Sequence, residues 1–219
     1  MYIGTCVVYG FSALARSGDP GRMENPDSVI PVAISARHVH LSQPTVERLF
    51  GPGYRLTPKM PLSQPGQYAC VETVTLKGPR GRLEHVRVLG PTRPADQVEI
   101  SRTDEITLGI DAPVRLSGDL DSTPGVTIEG PNGSVTLKSG VVCALRHIHM
   151  SPEDARHFAV KDGEIVQVEA GSPSRAVVFT DVVVRVSPQY RLEFHVDTDE
   201  GNAAGIEPGS TGRIIHRSG

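Results

Sequence analysis

The sequence predicts a mainly β protein with short α-helices, built as two similar halves by internal duplication. Three observations predict it. The phrase Arg-His-(β-branched)-His-(large apolar)-Ser occurs twice, at Arg37–Ser42 and Arg146–Ser151. A second phrase also recurs: Thr103-Asp104-Glu105 with Gly109-Ile110, then Thr198-Asp199-Glu200 with Gly205-Ile206. The chain holds 23 Gly and 18 Pro in 219 residues, and its apolar residues fall in short alternating runs between Gly-Pro turns. That is the pattern of short strands rather than long helices. Small antiparallel barrels protect the edges of such strands, and a sandwich fits the pattern equally.

Residues 1–28 stand apart. Ile3, Val7, Phe11 and Leu14 recur at helical spacing, and Arg16 to Gly21 then forms a polar Gly-Pro linker. Gly4, Gly10 and Val7-Val8 weaken this helix. The plain expectation is a disordered extension, or a start upstream of Met23. The sharper one is a docking peptide on a tether.

The first half is expected over 29–139. Val29–Ser35 is a strand leading into the first His phrase. Ser42 then caps a helix with Pro44 in its first turn, and Val46, Leu49 and Phe50 form its apolar face. Val71–Leu76 and Leu83–Leu89 alternate around Gly78-Pro79-Arg80-Gly81, a hairpin pattern. Gln97–Ser101 is a strand after the loop Gly90–Pro94. Val114–Leu116, Val126–Glu129 and Ser134–Leu137 are short strands between Gly-rich turns.

The second half is expected over 140–219, with strands allowed to interweave between halves. Gly140–Leu145 precedes the second His phrase. Ser151-Pro152-Glu153-Asp154 starts a helix, with the acidic pair at its positive end and Ala155, Phe158 and Ala159 on its apolar side. Strands follow at Glu164–Val168, Ala176–Phe179, Val182–Val186 and Arg191–Asp197. The last is the final clear strand before a Gly-rich tail.

Bulk properties narrow the function. A formal charge of −3 with mixed signs argues against nucleic-acid binding. No apolar run approaches the roughly 20 residues that span a membrane. Three separated cysteines, Cys6, Cys70 and Cys143, form no disulfide framework or Cys-rich zinc motif, which fits a reducing cytoplasmic compartment.

The chemistry lies in the repeated phrases. Residues two apart in a strand share a face, so His38 projects with His40 and His147 with His149. Glu99 lies four residues before the first Thr-Asp-Glu and His195 three before the second. With a one-residue slip they are matching positions. The expected metal sites are therefore His38, His40 and Glu99, and His147, His149 and His195. Such ligands suit Zn2+, with Co2+, Fe2+ or Mn2+ as alternatives. Three protein ligands leave coordination positions open for catalysis. Each His phrase precedes a helix N-terminus, whose N–H groups favour anions. Arg37, Arg93 and Arg146 add positive charge, and Arg93, in the Gly-Pro loop before Glu99, is the best phosphate-binding candidate. His85, His157 and His216 are expected at the surface, and Cys143 as a buried, inert thiol. No nucleophile elbow, P-loop or dinucleotide fingerprint is present.

At Val32–Ser42, Gly90–Ser101, Arg146–Pro152 and Glu193–Gly205 the sequence resembles the phosphate propanoyltransferases, phosphotransacylases of bacterial microcompartments that degrade propanediol. The resemblance spans about Val29 to Ile206. It implies two small β-barrels capped by short helices and a two-zinc site with the ligand sets above. Arg93 is implied as the phosphate-binding arginine. The implied partners are acyl-CoA, phosphate and CoA, with propanoyl-CoA, and acetyl-CoA as well, as acyl donor. The implied reaction is acyl-CoA plus phosphate giving acyl phosphate plus CoA, by direct displacement without an acyl-enzyme. Microcompartment members carry an N-terminal amphipathic encapsulation peptide, and residues 1–28 share its layout. Shell or core proteins are then partners, and a homo-oligomer is compatible with everything above. The rival readings are a dizinc hydrolase of a phosphate or thioester bond, and a non-catalytic metal-binding scaffold.

Overall fold

The computed structural model describes residues 28–215. The expected N-terminal stripe and linker (residues 1–27) and His216 lie outside the described residues. The described chain runs β1 (Ile30–Ser35), β2 (His38–His40), α1 (Gln43–Phe50), β3 (Pro58–Pro61), β4 (Tyr68–Lys77), β5 (Arg82–Gly90), β6 (Gln97–Ile100) and α2 (Arg102–Leu108). It continues through β7 (Val114–Arg115), β8 (Thr127–Gly130), β9 (Gly133–Thr136), β10 (Val141–Ala144), β11 (His147–Met150) and α3 (Pro152–His157). The last elements are β12 (Ile165–Ala170), β13 (Val177–Val186), β14 (Glu193–Asp197), α4 (Thr198–Ala204) and β15 (Thr211–Ile215). The mainly β class with short helices is what the sequence predicted.

Two compact units share these elements. The first comprises Ala36–Leu145 with Asp197–Asp199, and the second is built on residues 30–35, Arg146–Val196 and 200–215. The first unit carries a nine-stranded sheet in the order β7-β10-β6-β2-β5-β4-β8-β9, with β3 on β4. The second is a closed barrel, β1-β14-β11-β13-β12-β15.

The duplication is visible in the pairing. The strand β2 runs parallel to β5 and antiparallel to β6, and β11 runs parallel to β13 and antiparallel to β14. Even the irregularities match. His85 in β5 and Asp181 in β13 both take left-handed backbone, at φ 58° and 55°. Each stands two residues before the partner of its phrase's first His, Arg87 and Val183. The register shifts along both hairpins mark bulges, which bend strands and raise their twist.

The halves also exchange strands. The strand before the first His phrase, β1, lies in the second unit's barrel beside β14. The strand before the second phrase, β10, lies in the first unit's sheet, parallel to β6. A cut at residue 139 thus does not separate the units. The tail is also more ordered than expected: β15 closes the barrel by pairing with both β12 and β1. The segments expected at Ala176–Phe179 and Val182–Val186 are one long strand, β13.

Each unit has its own core. In the first, Val39, Leu41, Val46, Leu49, Leu76, Val88 and Val98 are fully buried together. In the second, Ile30, Ile148, Met150, Val168, Val182, Val184 and Phe194 are. The middle residue of each His phrase, Val39 or Ile148, therefore points into a core, and the flanking histidines turn to the opposite face. Burial of that apolar residue, worth roughly 1.5–3 kcal/mol, holds the strand's orientation and hence the direction of both imidazoles.

The Thr-Asp-Glu repeats form helices α2 and α4. Ser101 and Asp104 make a capping box at the start of α2, and Gly109 ends it in the left-handed region. Gly205 follows α4 in the same conformation.

Candidate functional site

The first donor cluster lies in the first unit. His38 and His40 project from the same face of β2, and His38 stands opposite Glu99 of β6 in the antiparallel register. All three are buried. His38 Nε2 lies 3.6 Å from Glu99 Oε2, and the two imidazoles meet edge to face with centroids 5.0 Å apart. The His38 Nδ1–H donates to the Ala36 carbonyl at 2.9 Å. That bond fixes the tautomer and turns Nε2 toward Glu99. Nδ1 of His40 is buried without a hydrogen-bond partner, which costs about 1–3 kcal/mol unless something binds it.

Electrostatics suit these groups to a cation. Burial, then His38 and Arg93, push the His40 imidazole down to about 2, so it is neutral. Burial works against ionisation of Glu99, but the neighbouring His38 outweighs it and holds the carboxyl well below the usual range. His38 moves the other way: burial lowers its pKa, but the Glu99 carboxylate more than offsets this and raises it.

The second cluster lies in the second unit and repeats the plan. His147 and His149 project from β11, and His147 stands opposite His195 of β14. The His147 and His195 rings stack 5.1 Å apart and nearly parallel, and His149 packs edge-on to each at 4.6 and 4.8 Å. In each triad the candidate donor atoms lie within 4.8 Å of one another. Zinc bonds of about 2.0–2.2 Å place tetrahedral ligands about 3.3–3.6 Å apart, so either triad fits one ion after small side-chain adjustment. The donor sets and the orphaned His40 nitrogen thus fit a metal at each place.

Arg93 sits half-buried in the loop between β5 and β6. Its N–H donates to the Leu41 carbonyl at 2.9 Å, and its charge acts on both His38 and His40. The structure thus brings all six residues predicted to bind metal into two clusters, three in each.

Arg37 and Arg146 behave differently from expectation. Each clamps its phrase to a helix: Arg37 pairs with Asp104 at 3.1 Å, and Arg146 with Glu200 at 2.6 Å. Asp104 lies five residues after Glu99, and Glu200 five after His195. The two Thr-Asp-Glu phrases are therefore offset by one residue in structural register. These guanidinium groups are engaged in holding the fold rather than in offering charge to an anion.

The helix starts are also more occupied than expected. Ser42 is the N-cap of α1, but its side chain makes no cap bond. Asp96 does so instead, accepting from the Ser42 N–H at 2.6 Å and from the Thr45 hydroxyl at 2.6 Å. At α3 the Ser151 N–H is taken by Asp154 at 2.9 Å. The N–H groups of Ser42 and Ser151 are thus held by carboxylates of the fold itself. Ala159, expected on the buried side of α3, is exposed in left-handed backbone after the helix.

Three nearby residues escaped the sequence reading. Gln97 and Glu193 lie two positions before Glu99 and His195, on the same strand face, and strand alternation alone could have found them. Tyr190 packs on His149 with ring centroids 4.2 Å apart, and the Arg185 guanidinium lies 5.8 Å from the Tyr190 ring. Cys143 is buried as expected, and its thiol donates to Glu105 at 3.3 Å. His85 and His157 are exposed, as expected.

Among known proteins, residues 31–207 match the family described as phosphate propanoyltransferase. A phosphate propanoyltransferase of Thermotoga maritima is 55% identical over 186 residues, covering 85% of this chain and 89% of its own length. The one from Salmonella typhimurium is 52% identical, with 85% and 89% covered. That of Enterococcus faecalis is 47% identical, with 88% and 90% covered.

Proposed function

This chain belongs to the phosphate propanoyltransferase family of acyltransferases, and on that premise we propose a metal-assisted phosphotransacylase acting by direct displacement. The reaction is propanoyl-CoA plus phosphate giving propanoyl phosphate plus CoA, with acetyl-CoA accepted as a second donor. The observation that carries this reading is the buried His38-His40-Glu99 cluster, with the Arg93 backbone bonded to Leu41, the residue after His40.

His38, His40 and Glu99 would hold one divalent ion and His147, His149 and His195 another, with zinc the best match to these donors. Bound zinc supplies a Lewis acid for the thioester carbonyl or the departing thiolate. Arg93 binds phosphate through its guanidinium fork and orients one oxygen toward the thioester carbon. That oxygen forms the new C–O bond, the C–S bond breaks, and CoA leaves with the electron pair. The chain offers no alternative nucleophile among its described thiols. Burial, followed by Glu72, pushes the Cys70 thiol up to about 12. Burial, followed by Glu105, raises that of Cys143 further. Neither is a thiolate near neutral pH.

The deciding assay is CoA release from acetyl-, propanoyl- and butanoyl-CoA, with and without phosphate and with and without chelator. Release should require phosphate and fall after metal removal. Arg93→Ala should lose on the order of 100-fold in kcat/KM. Phosphate-independent release would indicate a hydrolase, and a covalent acyl adduct or a fully active Arg93→Ala would rule out this mechanism.

Residues 1–28 are read as an encapsulation segment, which would place the enzyme in a bacterial microcompartment. Removing residues 1–22 should leave turnover unchanged and abolish co-sedimentation with shells.

A further inference from the structure

Both units place a buried polar residue across from the second histidine of the phrase. Gln97 pairs with His40 in the register of β6 on β2, and Glu193 pairs with His149 in that of β14 on β11. Each lies two positions before the third ligand and reaches it. Gln97 Nε2 donates to Glu99 Oε1 at 2.6 Å and to the Ser117 hydroxyl at 2.9 Å. Its Oε1 accepts from the Gly118 N–H at 3.0 Å. A backbone N–H can only donate, so the oxygen must face Gly118 and the amide nitrogen must face Glu99. Glu193 Oε2 lies 2.7 Å from His195 Nε2, an ion-pair contact without hydrogen-bond alignment. Both side chains are buried, at 3% and 8% exposure.

The chemistry inverts with the ligand. A carboxylate third ligand is met by an amide donor, and an imidazole third ligand by a carboxylate. We propose that Gln97 and Glu193 are matched positioning residues, each orienting the third ligand of its metal site. Gln97 stabilises Glu99 as an anion aimed at the ion. Glu193 holds the orientation of the His195 ring, as outer-shell carboxylates do for ligating histidines. A carboxylate at position 97 would face Glu99 with no proton to share. An amide at 193 would remove the charge opposite His195. This proposal rests on the reading that the two triads bind metal.

The test uses full-length protein stripped of metal and titrated with Co2+ and Zn2+. It follows affinity by chelator competition, the visible cobalt spectrum and metal content per chain, with melting temperature as the folding control. Wild type should take up two equivalents. Glu193→Gln should weaken one site and Gln97→Glu the other, each by about 10–100-fold. In a His147→Ala background, where only the first site remains, Gln97→Glu should keep its effect and Glu193→Gln should lose it. The decisive variant is the double change Glu193→Gln with His195→Glu, which rebuilds the first unit's pairing in the second. It should bind more tightly than His195→Glu alone, a coupling that a merely structural role would not produce. Two equivalents in wild type with affinities and spectrum unchanged in both single variants, or no gain in the double variant, overturns the proposal alone. A wild type that takes up no metal overturns the metal reading itself and the proposal with it.

Discussion

Asp96 should stabilise the first unit more than any position in its loop would suggest. Its carboxylate accepts from the Ser42 N–H and the Thr45 hydroxyl, both at 2.6 Å. It thereby ties the loop carrying Arg93 to the start of α1. Loss of a helix N-cap costs about 0.5–2 kcal/mol, and a hydrogen bond to a charged group contributes roughly 1.5–3 kcal/mol. The site is half-buried, so the low end of the second range applies. Asp96→Ala should then cost about 2–3 kcal/mol. For a chain of this length about 2–4 °C of melting temperature accompanies each kcal/mol, so a fall of roughly 4–12 °C is expected. Asp96→Asn keeps one acceptor for the Ser42 N–H and should lose about half as much. Urea and thermal unfolding of the three proteins measure this. Because Arg93 lies on the same loop, the phosphate KM should rise in Asp96→Ala with a smaller change in kcat. An Asp96→Ala protein that unfolds within about 0.5 kcal/mol of wild type, or an Asp96→Asn protein no more stable than Asp96→Ala, would refute this role for Asp96.

Two further outcomes follow. In a Cys6→Ser protein, Cys70 and Cys143 should resist a thiol-specific disulfide reagent at pH 8 and react fully in denaturant. With Cys70 pushed up to about 12, only roughly 1 in 10,000 of its thiols is ionised at that pH, and rapid native labelling would show a more open sheet. Arg146→Ala should destabilise by about 2–3 kcal/mol in urea unfolding, because Arg146 bonds the Thr180 carbonyl at 2.7 Å and Glu200 at 2.6 Å. Arg37→Ala, which loses the 3.1 Å pair of a more exposed side chain, should cost about 1 kcal/mol or less. A reversed order would contradict the clamp assigned to each.

Much of the site was legible because strands alternate. In Arg-His-x-His-x-Ser, period two puts both histidines on one face and the β-branched residue on the other, and duplication shows the pattern to be meaningful. Glu99 and His195 could be matched because each precedes a recurring phrase by a nearly fixed interval. The hairpin at Gly78–Gly81 was visible for similar local reasons, and the Gly78 N–H indeed donates to the Gly81 carbonyl at 2.9 Å. Other features had no local sign. Asp96 reaches Ser42 from 54 residues away. Arg37 and Arg146 looked available until their carboxylate partners, 67 and 54 residues distant in sequence, were brought alongside. The strand β15 has few apolar residues and looked like tail, yet its backbone pairs on both sides.

Local sequence dictates which side chains share a strand face, where turns and helices start, and which residue types could bind a cation. These depend on neighbours a few positions apart, through the two-residue pleat and the fixed geometry of turns. Long-range folding alone settles that β1 and β10 exchange between the sequence halves, that β15 closes the barrel, and that Gln97 and Glu193 meet Glu99 and His195. Those outcomes depend on strand register across long separations. Register is set by the collective burial of apolar faces and the completion of backbone hydrogen bonds, which no short stretch of sequence contains.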